Sequence, residues 1–404
     1  MDIHNGSPYW PTTFPLRKPF EVNERSECYD VVIVGGGMSG ALTALALTDA
    51  RLSVAILDKR QMATGSTMVN TGFIQYSNDI MLHELIDQIG ERDAVRYYQM
   101  CLKAVKDLET ISNRLPISSD FIVRPSICFA SSDADVKKIK EEYETLRRHG
   151  FPCDYWTPDE MSENVSFTKP GAFVTYEDAE MNPYRLVNGI LELIEEKGTH
   201  LFDFVEVTDS MTQEDCILIK TNAGTFNAKH IIYTTGYETT PVGKRIGAKI
   251  NRSYAVVTKP IDQITQWYQR AFIWETARPY LYIRTTTDNR IIVGGLDEEI
   301  AHAPKSLELI NEKAEKLLIR IQELFPHFQI ELDYAYGATF GESKDNMPFI
   351  GQHPTKKNHY YLLGYGGNGT VYSMFGSQIL RDLIIDGHHP DAHLVQLDRK
   401  YGVK

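Results

Sequence analysis

Cysteine is scarce in this sequence and nowhere grouped. The five residues Cys28, Cys101, Cys128, Cys153 and Cys216 form no Cys-x-x-Cys and no Cys-x-His. An odd, scattered set argues against a disulfide framework or an iron–sulfur motif and fits small buried thiols of a reducing compartment. No stretch approaches the ~20 apolar residues of a membrane span. The N-terminal MDIHNGSPYWPTTFPLRKPF has neither the basic nor the apolar region of an export signal, so a cytoplasmic protein without a membrane span is expected. Positive charge is also in deficit, with 42 Lys and Arg against 54 Asp and Glu and a net charge of −12. That argues against nucleic acid as a partner, because its binding needs a positive surface to replace released counterions. None of the 12 histidines stands in a ligand spacing such as H-E-x-x-H, and no metal is expected. Internal repeats and low-complexity segments are not evident.

What remains is a globular chain of 404 residues, 42% hydrophobic, long enough for two domains. Its clearest signal is YDVVIVGGGMSGALTALAL, Tyr29 to Leu47. The β-branched run Tyr29–Val34 suits a strand buried on both faces of a parallel sheet. Gly35, Gly37 and Gly40 then fit G-x-G-x-x-G, with Met38 and Ser39 between them. Gly35 would supply the tight turn, Gly37 the close backbone approach to a pyrophosphate and Gly40 close helix packing. The first-turn N–H groups of the following helix favour negative charge. A second strand, LSVAILD, ends in Asp58, whose carboxylate suits ribose hydroxyls. Together these predict a dinucleotide site.

The chain then departs from a nicotinamide dehydrogenase. It enters the polar loop KRQMATGSTMVNTGFIQYSND (Lys59 to Asp79) and helices around 81–90 and 93–115, and KHIIYTTG (229–236) reads as a late return to the nucleotide sheet. Four blocks in this order resemble the FAD-dependent D-amino-acid oxidase superfamily, in its glycine oxidase and sarcosine oxidase branch. They are the first loop with Asp58, GSTMVNTGFI (65–74), GESKDNMPFIG (341–351) and GYGGNGTVYSMFGSQILRDLI (364–384).

The resemblance implies an α/β fold: a Rossmann-like FAD-binding domain with a central parallel sheet, and an α+β substrate domain with an antiparallel sheet. The expected division is 1–115, 176–245 and 337–404 for FAD, with 116–175 and 246–336 for the substrate. Non-covalent FAD is expected, because Val69 and the cysteine-free stretch Gly337 to Gly351 occupy the regions where relatives tether flavin. Candidate FAD contacts are Gly35, Gly37, Met38, Ser39, Gly40, Asp58, Lys59, Ser66, Thr67, Asn70, Thr71, Gly72, Val205, Thr235, Gly236, Gly366, Gly367, Asn368, Gly369 and Thr370. The helix opened by Thr370 would point its N-terminus at the flavin's pyrimidine end, where charge develops on reduction.

In the substrate segments, DFIVRPSICFA (120–130) and KINRSYAVVTKPI (249–261) read as strands, DADVKKIKEEYETLRRHG as a helix closed by Gly150, and PYLYIRTTTDNRIIVGGL as a hairpin turning near Asp288-Asn289. A helix is expected from about 306 to 324, ended by Pro326. Tyr254, Tyr280, Tyr282 and Arg284 lie on these strands as candidate substrate contacts. By the family pattern an arginine that clamps the substrate carboxylate would fall at Phe340, and an aromatic ring cannot replace a guanidinium fork. Either Lys344 or Arg284 takes that role, or the substrate is not a small free α-amino acid. PYWPTTFP resembles members carrying a Rieske domain, but the sequence holds no C-x-H for that electron outlet. The expected reaction is oxidation of the C–N bond of an amine or amino acid by hydride transfer to flavin N5, with oxygen or an electron carrier as acceptor. Its alternatives are a hydroxy acid or polyol phosphate dehydrogenase and a catalytically silent flavin-binding subunit.

Overall fold

The computed structural model describes residues 3–20, 27–238, 248–262, 264, 267–364 and 366–399. Tyr29–Val34 forms the middle strand of a parallel sheet, in register with Val54–Leu57 on one side and Gly224–Tyr233 on the other. His359–Leu363 and His200–Phe202 extend the sheet outward in parallel, and Phe349–Gln352 closes one edge antiparallel. Val31, Val32 and Ile33 are fully buried, as expected for a strand covered on both faces. Helix Met38–Asp49 is apolar nearly all round and is accordingly enclosed, packed on helices Gly369–Ile385 and Pro183–Glu196.

The second sheet runs in the order His4–Gly6, Leu332–Ser343, Ala248–Thr258, Ile291–Glu298, Leu281–Thr285, Phe272–Glu275, Ile122–Phe129, Ala172–Glu180, Phe73–Ile74. It is antiparallel except where Phe272–Glu275 meets Ile122–Phe129. One face carries helix Leu307–Leu324, whose Ile310, Ala314, Leu317 and Ile321 pack with Tyr254, Val256, Ile291 and Val293. Burying each such aliphatic contributes about 1.5–3 kcal/mol. The opposite face gives Ala255, Val257 and Ile292 to the core that also holds Val31 and Ile33 of the parallel sheet.

Local chemistry explains most boundaries. Ser306 caps the long helix by accepting from the backbone N–H groups of Glu308 and Leu309. Helix Val136–Arg148 ends before Gly150, which sits at φ +78°. The hairpin turns at Asn289 in the left-handed region. Four strands run through or outside the expected domain divisions: Leu332–Ser343 passes through 337, Ala172–Glu180 through 176, and His4–Gly6 and Phe73–Ile74, both within 1–115, pair with Tyr336–Ala338 and Ala179–Glu180 of the antiparallel sheet. A ladder of backbone hydrogen bonds fixes each strand as one unit.

Candidate functional site

The strand–loop–helix unit builds a cradle at the carboxyl end of the parallel sheet. Gly35 turns at φ +109°. Gly40 is pressed so tightly on the loop that a Cβ there would lie 1.9 Å from the Gly35 carbonyl oxygen. A Cβ on Gly37, by contrast, would meet only the Thr67 hydroxyl, at 3.3 Å, and otherwise open space. Gly37, the residue before the helix that starts at Met38, offers no capping side chain, and the Met38 N–H donates to the Thr67 hydroxyl at 3.2 Å. Asp58 accepts from the Gly36 and Arg60 backbone N–H groups at 2.7 and 2.8 Å, and burial pushes its carboxyl upward against these two bonds. Lys59 and Arg60 both pair with Glu238.

These elements line an elongated cavity. Of the expected contacts it takes Gly35, Gly37, Met38, Ser39, Asp58, Lys59, Ser66, Thr67, Asn70, Val205, Thr235, Gly236, Gly369 and Thr370. Gly40 supports it from behind. Thr235 Oγ1 is buried there without a partner, as expected of an atom waiting for a polar ligand. A dinucleotide diphosphate fits this set: open space at Gly37, first-turn N–H groups of the helix that follows, and a carboxylate at the end of the neighbouring strand Val54–Leu57. Sequence reading missed Thr234, whose hydroxyl donates to the Val34 and Gly35 carbonyls, and Ser373, whose hydroxyl bonds that of Ser39 at 2.8 Å.

A second cavity continues from the first, sharing Ser66, Asn70 and Gly369. It takes Thr71, Gly366, Gly367 and Asn368 from the expected list. Asn368 precedes helix Gly369–Ile385 and donates to the Gln75 carbonyl and to Asn78 Oδ1, which Tyr372 also bonds. The Gly367 N–H donates to Asp79 at 2.8 Å. Asn70 donates to the Thr370 hydroxyl and is itself held by Trp10, whose indole N–H donates to the Asn70 carbonyl at 2.6 Å. The loops expected to contact flavin are thus cross-linked from three parts of the chain.

Tyr280, Tyr282, Trp274, Phe73 and Phe340 wall this cavity, with Asp79 and Asp297 among its polar groups. Tyr282 fits because Gly294 faces it across the hairpin; a Cβ there would meet its ring at 2.1 Å. Burial pushes the Tyr280 and Tyr282 phenols above their ordinary value. Asp297 is pushed up to about 6, chiefly by burial and further by Glu342 and Asp79, while Ser253 and Arg278 oppose the shift.

Of the substrate-contact candidates, only Tyr280 and Tyr282 line the cavity. Tyr254 points to the helix-covered face and donates to Glu298 at 2.7 Å. Arg284 shares a sheet face with Tyr282, but the loop Thr71–Gly72 lies against it. Its guanidinium donates to the carbonyls of Thr71, Gly72, Met181 and Thr285. Gly72, at φ +75°, belongs to this packing and not to the cavity lining: its Cβ would lie 2.4 Å from Arg284 Nη1. Lys344 is exposed in a turn. Neither cation offered in place of the family arginine reaches the cavity, whereas Phe340 does. Asp79, Asp297, Trp274 and Phe73 carried no signal of their own in the sequence.

No helix among the described residues is long and apolar enough to cross a membrane, and no cluster of metal-ligating side chains occurs among them. The family model for FAD-dependent oxidoreductases named DAO matches residues 30–383. Gamma-glutamylputrescine oxidoreductase of Escherichia coli (strain K12) is 24% identical over 400 residues, covering 95% of this chain and 90% of that one. YhfW of Bacillus subtilis (strain 168), named as a candidate Rieske 2Fe-2S iron–sulfur protein, is 23% identical, covering 95% of this chain and 73% of its own. The crystal structure of glycine oxidase from Geobacillus kaustophilus superposes with a TM-score of 0.77 at 18% identity, over 93% of this chain and all of that one. The chain belongs to the DAO family of FAD-dependent oxidoreductases, flavoenzymes that oxidise amines and amino acids.

Proposed function

We propose that the protein oxidises the C–N bond of a small amine in the aromatic-walled cavity, with FAD held non-covalently along the connected trench. The observation that carries this reading is the junction at Gly369. The helix that begins there presents its N-terminus to both cavities, so the reactive end of a dinucleotide cofactor would meet a substrate on the sheet side. FAD held there by the glycine loop and Asp58 would supply a hydride acceptor for the substrate's α-carbon once the amine nitrogen has given its ammonium proton to water, and the resulting iminium would be hydrolysed by water. The chain's own contribution is alignment and charge. The loop Gly366–Gly369 and the uncapped helix favour negative charge at one end, and Tyr280, Tyr282 and Trp274 confine the reacting carbon.

A hydroxy acid or polyol phosphate would bring an anion into this cavity. No Lys, Arg or His stands among its described lining residues to receive one. Reduction by amines and not by hydroxy acids in an anaerobic panel tests the assignment. Failure of every amine to bleach the protein-bound flavin refutes it. Release of yellow colour to the supernatant on acid precipitation is the outcome expected for untethered FAD. Oxygen consumption set against reduction of an artificial acceptor identifies where the electrons go.

A further inference from the structure

The strand Ile291–Glu298 carries an irregularity beside the substrate cavity. Tyr254 pairs with Gly295 and Arg252 with Glu298, so Leu296 and Asp297 together oppose Ser253. This is a β-bulge, and its backbone is strained: Gly295 lies at φ +144° and Leu296, which has a branched side chain, at φ +57°. Such outliers persist only where surrounding structure enforces them. Its effect is to exchange the faces of the strand. Val293 and Leu296 both pack on the helix-covered side, Asp297 enters the cavity, and Glu298 turns back to the helix.

The two adjacent carboxylates have opposite circumstances. Glu298 is fully compensated, by Arg252 at 2.6 Å, Tyr254 at 2.7 Å and Lys313 at 2.8 Å. Asp297 Oδ1 is buried with no hydrogen-bond partner. Ser77, only 5% exposed, lines the same cavity with its hydroxyl also unpartnered. Asp79 adds a second carboxylate, and the described lining holds no cationic side chain. A carboxylate with one buried oxygen unpartnered, in an aromatic-walled site and beside a second carboxylate, is stabilised by an incoming cation. Aromatic faces attract the same charge.

The geometry points to a site for an organic ammonium, a cationic amine with no carboxylate beside its reacting carbon, in which Asp297 is the counter-ion and the rings of Trp274, Tyr280 and Tyr282 are the walls. The inference rests on the C–N oxidation proposed above and narrows its substrate class. It assigns Asp297 as the specificity-determining residue in the cavity where a carboxylate-clamping arginine is replaced by Phe340.

An isosteric pair of ions tests it on the FAD-loaded protein without turnover. The tert-butylammonium ion has no α-hydrogen and cannot be oxidised; pivalate has the same shape and the opposite charge. The cation is expected to perturb the flavin absorption spectrum saturably and pivalate is not. Asp297→Asn should weaken the cation about tenfold or more, the effect of uncharging one member of a buried pair, and Asp297→Ala should do the same with FAD content unchanged. Pivalate binding as tightly as tert-butylammonium, or a change within twofold in both variants, overturns the inference. Bleaching by glycine, sarcosine or proline in preference to N-methylbutylamine also overturns it and leaves C–N oxidation standing. A protein that takes up FAD and is bleached by no amine refutes both.

Discussion

Replacing Gly37 by alanine separates the glycine loop's role in binding from its role in folding. The position has φ −87°, which alanine adopts without strain, and the nearest atom to an added Cβ is the Thr67 hydroxyl at 3.3 Å. The cofactor-free variant should therefore melt within about 0.5 kcal/mol of the parent, since a compatible Gly→Ala change even reduces unfolded-chain entropy. Gly37 nevertheless lines the cavity, and its methyl group would stand where a diphosphate must approach the backbone. Pushing that group back by about 1 Å would break one or two charge-assisted hydrogen bonds to the helix N-terminus, worth about 1.5–3 kcal/mol each. FAD affinity should fall by roughly one to four orders of magnitude. Gly40→Ala is the contrast, because its Cβ would sit more than 1 Å inside contact with a backbone carbonyl. It should lower the melting temperature even without cofactor. Titration of stripped protein with FAD, followed by fluorescence quenching and paired with thermal melts, measures both effects. A Gly37→Ala protein that binds FAD like the parent would refute the assignment of this loop to the diphosphate.

Other perturbations have equally definite outcomes. Arg284→Met should cost about 3–5 kcal/mol in thermal stability, because it strands buried carbonyls of Thr71, Gly72 and Met181; a change under about 1 kcal/mol would show that the guanidinium does not hold the Thr71–Gly72 loop. Lys344→Ala and Tyr254→Phe should leave kcat/KM within about twofold in steady-state assays, as neither side chain lines the cavity. Affinity for tert-butylammonium should rise between about pH 5 and about pH 7. The Asp297 carboxyl titrates near about 6 against Asp79, Glu342, Arg278 and Ser253, and only its charged form is a counter-ion. The stability sign is opposite. A carboxyl raised from 3.8 to about 6 contributes most below its unfolded value and loses that contribution as pH rises through about 6. Asp297→Asn should therefore raise the melting temperature at pH 8.

The nucleotide half of the molecule was legible because its signals are local. A β-branched run, three spaced glycines and an apolar helix occupy consecutive positions, and Asp58 closes the next strand. The hairpin and the helix capped by Ser306 were readable for the same reason. Strand His4–Gly6 was not, since three residues carry no alternation and pair only through contact with residues more than 300 positions away. The same holds for Asp79 and Asp297, which converge through the antiparallel sheet. Strict alternation from Val293 would have put Glu298 in the cavity. Arg284 shows the complementary failure: its face was predictable from Tyr282, but the loop interposed between it and the cavity was not.

The extra residue at Leu296 has a consequence for comparing such chains. Past that point the two sides of the strand trade places, so the polarity of this wall is written in how many residues precede it as much as in which residues they are. Two relatives differing there by a single insertion would share the same sheet and present opposite sets of side chains to the ligand. A column-by-column match of their letters would pair groups that never meet the same molecule.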